Sequence, residues 1–402
     1  MTAIKDSVHD HIEVEGVALD LLDTPELQRL RHIKQLSTVR LVYPSANHTR
    51  FEHSLGVYHL ASRALEHLGI SGRRAERVRA AALLHDVGHG PYGHQTEDVI
   101  QRHAGVHHDE VHGLLDQGTV ARVLRDHDLD PSRVADLVAG DGEFGQLVSG
   151  ELDVDRMDYL VRDAHHTGVP YGTVDHQRLV RSLQFVDGEL VLAAGNVQTA
   201  EGLLVARALM NAAVYRHHVS RIAGAMLERA SERLLDAGVG IERFRRMADH
   251  DLLAALRETE ETAELGERLR DRDLYKRAVW AERDAVPDGL LDLDYAACRE
   301  REREIADVAG VDPETVVLDV PDSPGMTESS VRVIVNGTIR RLDEQSPLVE
   351  ALRAAGRTRW RLGVYAPPGD VSAVGDVAAR VLGLDDDALL TEAERRESSF
   401  DD

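Results

Sequence analysis

The chain is 402 residues long, 43% hydrophobic, with a formal net charge of −24. That length suits one large domain with an appendage, or two domains, and the hydrophobic fraction excludes bulk disorder. The charge excludes a general nucleic-acid-binding surface, which needs a basic field, and every long apolar run is broken by a charge, so no membrane span is expected.

Residues Met1–Asp10 carry no apolar signal region, and the one cysteine, Cys298, rules out an intramolecular disulfide. Both point to a reducing cytoplasm. Lys5, Lys34 and Lys276 are the only lysines, so arginine supplies nearly all of the 47 basic residues. An acidic, lysine-poor surface predicts a halophilic protein adapted to high salt, with GC-biased coding as the alternative.

From Asp23 the pattern is helical for more than two hundred residues. Thr24-Pro25 predicts a cap and first turn, followed by Leu27, Leu30, Ile33 and Leu36 at helical spacing. Helices are predicted over His53–Leu68 and Ala75–Leu84, with shorter pieces at His112–Leu115, Val120–Arg125 and Ser132–Val138. Glu151–His166 reads as a helix with one apolar face, Phe185–Ala194 as a hairpin turning at Asp187-Gly188, and Thr199–Leu235 as the longest helical stretch. Charged amphipathic helices follow, chiefly Asp251–Arg270. From Val316 the period changes, and strands are predicted at Val316–Val320, Val331–Val335 and Arg361–Tyr365, separated by the breakers Pro321–Gly325 and Pro367–Gly369. A helix at Val371–Leu382 and a frayed acidic tail, Thr391–Asp402, close the chain.

Chemistry concentrates in Leu83–Glu97, where the doublet His85-Asp86, His89, His94 and Glu97 are interleaved with Gly88, Gly90, Pro91 and Gly93. That mixture is wrong for a core and right for a transition-metal site, because imidazoles and carboxylates share a shell that leaves positions open for water. Upstream, Arg50-Phe51-Glu52-His53 starts a helix with a histidine. Downstream, Glu151–Tyr159 places several carboxylates on one. His53, His85, Asp86 and a downstream aspartate thus form the ordered pattern H, HD, D.

This pattern, with Arg50–Gly56, His85–His94 and Asp155–Tyr159 through Arg162–His166, resembles the HD-domain phosphohydrolases, in particular their deoxynucleoside triphosphate (dNTP) triphosphohydrolase branch. The resemblance runs from about Ile4 to Lys276. Together with the change of period after Val316, it implies a mainly α fold: an HD-domain helical core over 1–240, a helical extension over 241–290 and a smaller C-terminal α+β lobe over 291–402. It further implies a divalent metal (iron, manganese or magnesium) on His53, His85, Asp86 and Asp155. His94 is implied as the general acid to the leaving deoxynucleoside, supported by Glu97 and His108, with His89 also in the active site. Glu97 stands where the family usually has Asp. Arg50, Arg156, Arg207 and Tyr159 match phosphate contacts, Asp163 and Gln35 match 3′-hydroxyl contacts, and Tyr215 matches the aromatic that packs on the sugar. A core tyrosine on an alanine-rich helix is the alternative for Tyr215. Asp23, Gln28 and Arg31, with Arg272 and Lys276, match a guanine-nucleotide (GTP or dGTP) activator site. The implied partners are a dNTP substrate, that activator and further copies of this chain in a dimer or tetramer. Two alternatives remain: a monophosphatase or phosphodiesterase with the same metal, and a catalytically weak nucleotide-binding assembly protein, suggested by Glu97 and Asn211.

Overall fold

Caps and turn residues place the site helices where the sequence pattern puts them. The helix Arg50–His67 starts at Thr49, whose backbone N–H and hydroxyl both donate to Glu52 Oε2, at 2.6 and 2.8 Å. This reciprocal use of a residue three positions on is a capping box, and it starts the helix three residues ahead of the expected His53. Gly72–Leu84 forms the next helix, and Val154–Thr167 is capped by Asp153, whose Oδ1 accepts from the Arg156 N–H at 2.8 Å. The three lie side by side, the first packed on each of the others. The computed structural model describes residues 1–322 and 330–384. The expected acidic tail and the Ser323–Gly325 half of one breaker lie outside the described residues.

Two long helical predictions come out broken. After Thr24-Pro25 the α-helix lasts only to Arg29, and short 3₁₀ turns at Leu30–His32 and Ser37–Leu41 follow. The Thr199–Leu235 stretch is Val197–Met210, a π-helical turn over Asn211–Tyr215, and His218–Asp236. A π turn inserts one residue into the helical ladder, and such insertions recur at functional sites.

Among the described residues nine strands form three sheets. β1 (Thr2–Asp6) and β2 (Asp10–Val14) make an N-terminal hairpin on the core. β3 (Leu183–Val186) and β4 (Glu189–Leu192) are the expected hairpin; Asp187 and Gly188 both have positive φ, the requirement of a type I′ turn. β5 (Lys276–Glu282), β6 (Val317–Asp319) and β9 (Arg361–Ala366) form an antiparallel sheet with β9 central. The helices Tyr295–Ala309 and Val371–Val381 share an apolar core with it. β7 (Arg332–Val335) and β8 (Thr338–Arg341) join the other hairpin instead, through the parallel pair Leu192↔Val333. The helix Pro347–Thr358 packs on Val197–Met210. The C-terminal third is therefore shared between its own sheet and the core. Among the described residues no helix is long and apolar enough to cross a membrane.

Candidate active site

Helix ends bring the four expected metal donors together. His53 lies one turn into the Arg50–His67 helix, His85-Asp86 follow the last turn of Gly72–Leu84, and Asp155 is in the first turn of Val154–Thr167. His53 Nε2 is 2.8 Å from Asp155 Oδ1 and 3.2 Å from His85 Nε2. His85 Nε2 is 3.5 Å from Asp86 Oδ1 and 3.7 Å from Asp155 Oδ1. Donor atoms of His53, His85 and Asp86 lie within 4.8 Å of one another.

The far edges of both imidazoles are already committed. His53 Nδ1–H donates to Asp158 Oδ2 at 2.8 Å, and His85 Nδ1–H to the Ala82 carbonyl at 2.9 Å. Those bonds fix the tautomers and turn both Nε2 lone pairs to one point, the usual outer support of metal-bound histidine. Burial disfavours a charged His53, yet hydrogen bonds to Asp155 and then Asp158 push its pKa up to about 10. A setting that holds positive charge so strongly suits a divalent cation, so the donors fit a metal.

Asp158 is itself buried and clamped. It accepts from His9 Nε2 at 2.6 Å and from Arg162 Nε and Nη2 at 2.8 and 3.0 Å, while Arg162 reaches Asp6 at 2.9 Å. Neither His9 nor Asp158 stands among the expected site residues. Asp158 and Arg162 are visible in sequence as an i, i+4 helical pair, but His9, 149 positions away, gives no local signal.

Beside the donors lies a cleft of about 150 Å³ that takes in Gln35, Arg50, His89, His94, His108 and Tyr159. Arg50 is buried and donates from Nη1 to Asp86 Oδ2 at 2.9 Å. Despite burial, its charge, then His85 and a hydrogen bond from His89, hold the Asp86 carboxyl well below the usual range. His89 stacks on His108 with ring centroids 4.0 Å apart, and His94 meets His89 edge-on at 4.7 Å. That approach needs Gly88, where a Cβ would sit 1.9 Å from the His108 carbonyl oxygen. Burial and the Arg50 charge drive the His89 pKa far down. Glu97 binds His94 Nδ1 at 2.7 Å and also His108 Nδ1. Its carboxyl is held low against burial by those hydrogen bonds, and His108 is raised in turn. The His94 side chain is 65% exposed and Glu97 17%, so His94 presents its free edge to the cleft from a fixed base.

Asp163, expected as a 3′-hydroxyl contact, accepts from Tyr215 Oη and His48 Nε2, both at 2.8 Å. The Tyr215 and Tyr159 rings are 6.3 Å apart, and burial with the Asp163 charge raises the Tyr215 hydroxyl well above its ordinary value. Arg207 is near enough for its charge to act on that phenol. The buried Gln35 Oε1 has no protein partner. Arg156, expected as a phosphate contact, binds Asp153 Oδ2 from Nη1 at 2.5 Å and also donates to the Gly150 carbonyl. The loop carrying His94 is pinned by Asp249, which accepts from the Lys34 and Tyr92 N–H groups at 2.9 and 2.6 Å. Nothing local in the sequence marks Asp249.

Of the expected activator residues, Gln28 Oε1 accepts from Arg31 Nε at 2.9 Å, and the Arg31 guanidinium lies 3.6 Å over the Phe51 ring. Asp23 is exposed at a helix end nearby in sequence. Arg272 donates to the Leu41 carbonyl at 2.9 Å, and Lys276 opens β5.

The HD domain family matches residues 50–163, and the HD associated region matches residues 174–393. An uncharacterized protein of Methanocaldococcus jannaschii is 35% identical over 377 residues, 91% of this chain and 79% of its own. Deoxynucleoside triphosphate triphosphohydrolase SAMHD1 of Homo sapiens is 29% identical over 298 residues, 61% of this chain and 47% of its own. A phosphohydrolase of Bacteroides thetaiotaomicron VPI-5482, known from its crystal structure, superposes with a TM-score of 0.73 and 28% identity, over 91% of this chain and all of that one.

Proposed function

The chain belongs to the HD-domain phosphohydrolase family, and from that membership we propose that it is a metal-dependent dNTP triphosphohydrolase, turning dNTP and water into deoxynucleoside and triphosphate. The observation that carries this reading is one cleft holding both the donors His53, His85, Asp86 and Asp155 and the Glu97-held pair His94 and His108. The metal would supply Lewis acidity toward water and a phosphate oxygen.

The chain's own residues do the rest. Water attacks the α-phosphorus and sheds a proton to solvent, the bond to the 5′-oxygen breaks, and His94 Nε2 delivers its proton to that oxygen and regains one from solvent. Glu97 on Nδ1 keeps the ring oriented with Nε2 toward the leaving oxygen. His89, kept neutral, and Arg50 face the phosphates; Arg156 joins them by exchanging Asp153 for phosphate oxygen. Gln35, with its unpartnered oxygen, and Asp163 read the 3′-hydroxyl, while Tyr215, tied to Asp163, closes the space a 2′-hydroxyl needs. Activation by GTP or dGTP belongs to the same reading, with Asp23, Gln28 and Arg31 on the base, Arg272 and Lys276 as its cations, and a homo-oligomer as the active form.

Purified protein with Mn and each dNTP, with and without GTP or dGTP, in dilute and molar salt, tests this when products are separated by anion exchange. Triphosphate and deoxynucleoside are expected. Orthophosphate or pyrophosphate would replace the reading with the monophosphatase or phosphodiesterase. No product, with nucleotide-dependent assembly, would replace it with the binding protein.

A further inference from the structure

A second cleft lies beyond Asp158, which holds the Nδ1 edge of His53 and is itself bound by the cleft residue His9. Its volume is about 640 Å³, against about 150 Å³ for the cleft at the donors, and within the range of small-ligand sites. Its floor is His9, whose side chain is 2% exposed. The His59 ring lies 4.9 Å from that of His9, and the His176 ring meets it edge-on at 5.4 Å. Arg63 and Arg181 stand on its walls.

One arginine on the cleft wall stands without an acidic partner among the described residues. Of the two acids lining the cleft, Glu66 is engaged by Arg63 at 3.0 Å and Asp10 by Lys5. Among the described residues Arg181 has no ion pair, and it stands with His176 on the cleft lining. Burial, and then the His9 and Arg63 charges, push His59 down to about 4, and burial with His9 lowers His176. Guanidinium forks and imidazole N–H groups around a cavity of this size match the oxygens of a di- or triphosphate, which bring negative charge.

The floor residue is also wired to the metal centre. His9 Nε2 binds Asp158 at 2.6 Å, and Asp158 binds His53 Nδ1 at 2.8 Å. An anion that draws the His9 ring toward the cleft loosens Asp158, and with it the orientation of a metal-donor histidine. We infer that this cleft is a second anion site, taking the di- or triphosphate group of a small ligand, and that its occupancy is transmitted to the metal centre through His9 and Asp158. Transmission rests on reading His53 as a metal ligand; binding does not.

The test is calorimetric titration of the full-length, metal-loaded protein with two probes, inorganic triphosphate and ATP, in the wild type, in Arg63→Ala/Arg181→Ala and in Arg181→Glu. Arg63 and Arg181 are exposed, so these variants keep the fold, and far-ultraviolet circular dichroism checks it. A site that weakens at least tenfold in both variants is expected, beside one that does not change. Equal affinity for the probes assigns the site to the phosphate group alone, and tighter ATP to a nucleotide. A wild type with one site, or a variant isotherm identical to it, overturns the inference. For transmission, metal loss to excess chelator is timed with and without triphosphate. A rate change of at least threefold in the wild type, absent in the double variant, is expected; an unchanged wild-type rate overturns transmission. Neither readout involves dNTP hydrolysis, so failure of the proposed activity is distinguishable from failure here.

Discussion

Asp158→Asn probes the buried support of the metal site with almost no change of shape. The carboxylate receives four hydrogen bonds, from His53, His9 and twice from Arg162, at 2.6–3.0 Å, and is fully buried. Asparagine has one acceptor oxygen in place of two and no charge, so it cannot serve both the Oδ2 donors, His53 Nδ1 and Arg162 Nε, and the Oδ1 donors, His9 Nε2 and Arg162 Nη2. Arg162 keeps Asp6 at 2.9 Å, which limits the damage below that of stripping a buried charge of every partner. Stability is therefore expected to fall by about 3 kcal/mol, between the loss of one charged hydrogen bond and the loss of a whole buried pair. Freed of Asp158, His53 can turn or shift its proton to Nε2. Loss of such an outer partner weakens metal binding by roughly 10- to 100-fold. Urea unfolding gives the first number, and competition of Mn against a chelator the second. A variant with native circular dichroism and Mn affinity within twofold of wild type would refute the assignment of Asp158 as the support of a metal-donor histidine.

Other perturbations follow from the same contacts. Gly56→Ala places a Cβ 1.9 Å from Asp158 Oδ1 and 2.5 Å from Arg162 Nη2, so a loss of about 1–3 kcal/mol or more is expected in urea, with reduced metal content; a wild-type midpoint would contradict the packing. His94→Ala removes an exposed side chain outside the donor set, so turnover should fall by roughly 10²–10⁴ with metal retained, and undiminished turnover would remove His94 as the acid. Burial, then Glu302 and Glu228, push the Cys298 thiol up to about 12, so at pH 8 the native protein should react with a thiol reagent at least tenfold more slowly than the urea-unfolded chain; equal rates would show the thiol open to solvent. The sign follows: the fold holds this proton beyond the pH at which the unfolded thiol ionises, so this group costs stability as pH rises through its ordinary value toward 12.

How far the site could be read depended on how local each contact is. Thr49 and Glu52 are three positions apart and cap their helix as any such pair would; His94 and Glu97 meet for the same reason. Arg156 was legible as a basic residue in a phosphate-type motif, but its direction was not, because the Asp153 side chain and the Gly150 carbonyl compete for the guanidinium. The break at Asn211–Tyr215 was equally hidden, since its alanine-rich sequence favours uninterrupted helix. The strand Lys276–Glu282 was missed because its residues alternate weakly and gain their partner, β9, only some eighty residues later.

By itself the sequence determined the helical core, the hairpin at Asp187-Gly188 and the doublet His85-Asp86, while the family resemblance added His53 and Asp155 as its partners. Those features rest on spacing within a turn or two and on the chemistry of each side chain. Only the tertiary structure decided that His9 and Asp158 back His53, that Asp249 pins the His94 loop, that β7 and β8 join the core sheet, and that Arg63 and Arg181 flank a second cleft. Each of these joins segments far apart in the chain, and such contacts exist only after packing has chosen which faces meet.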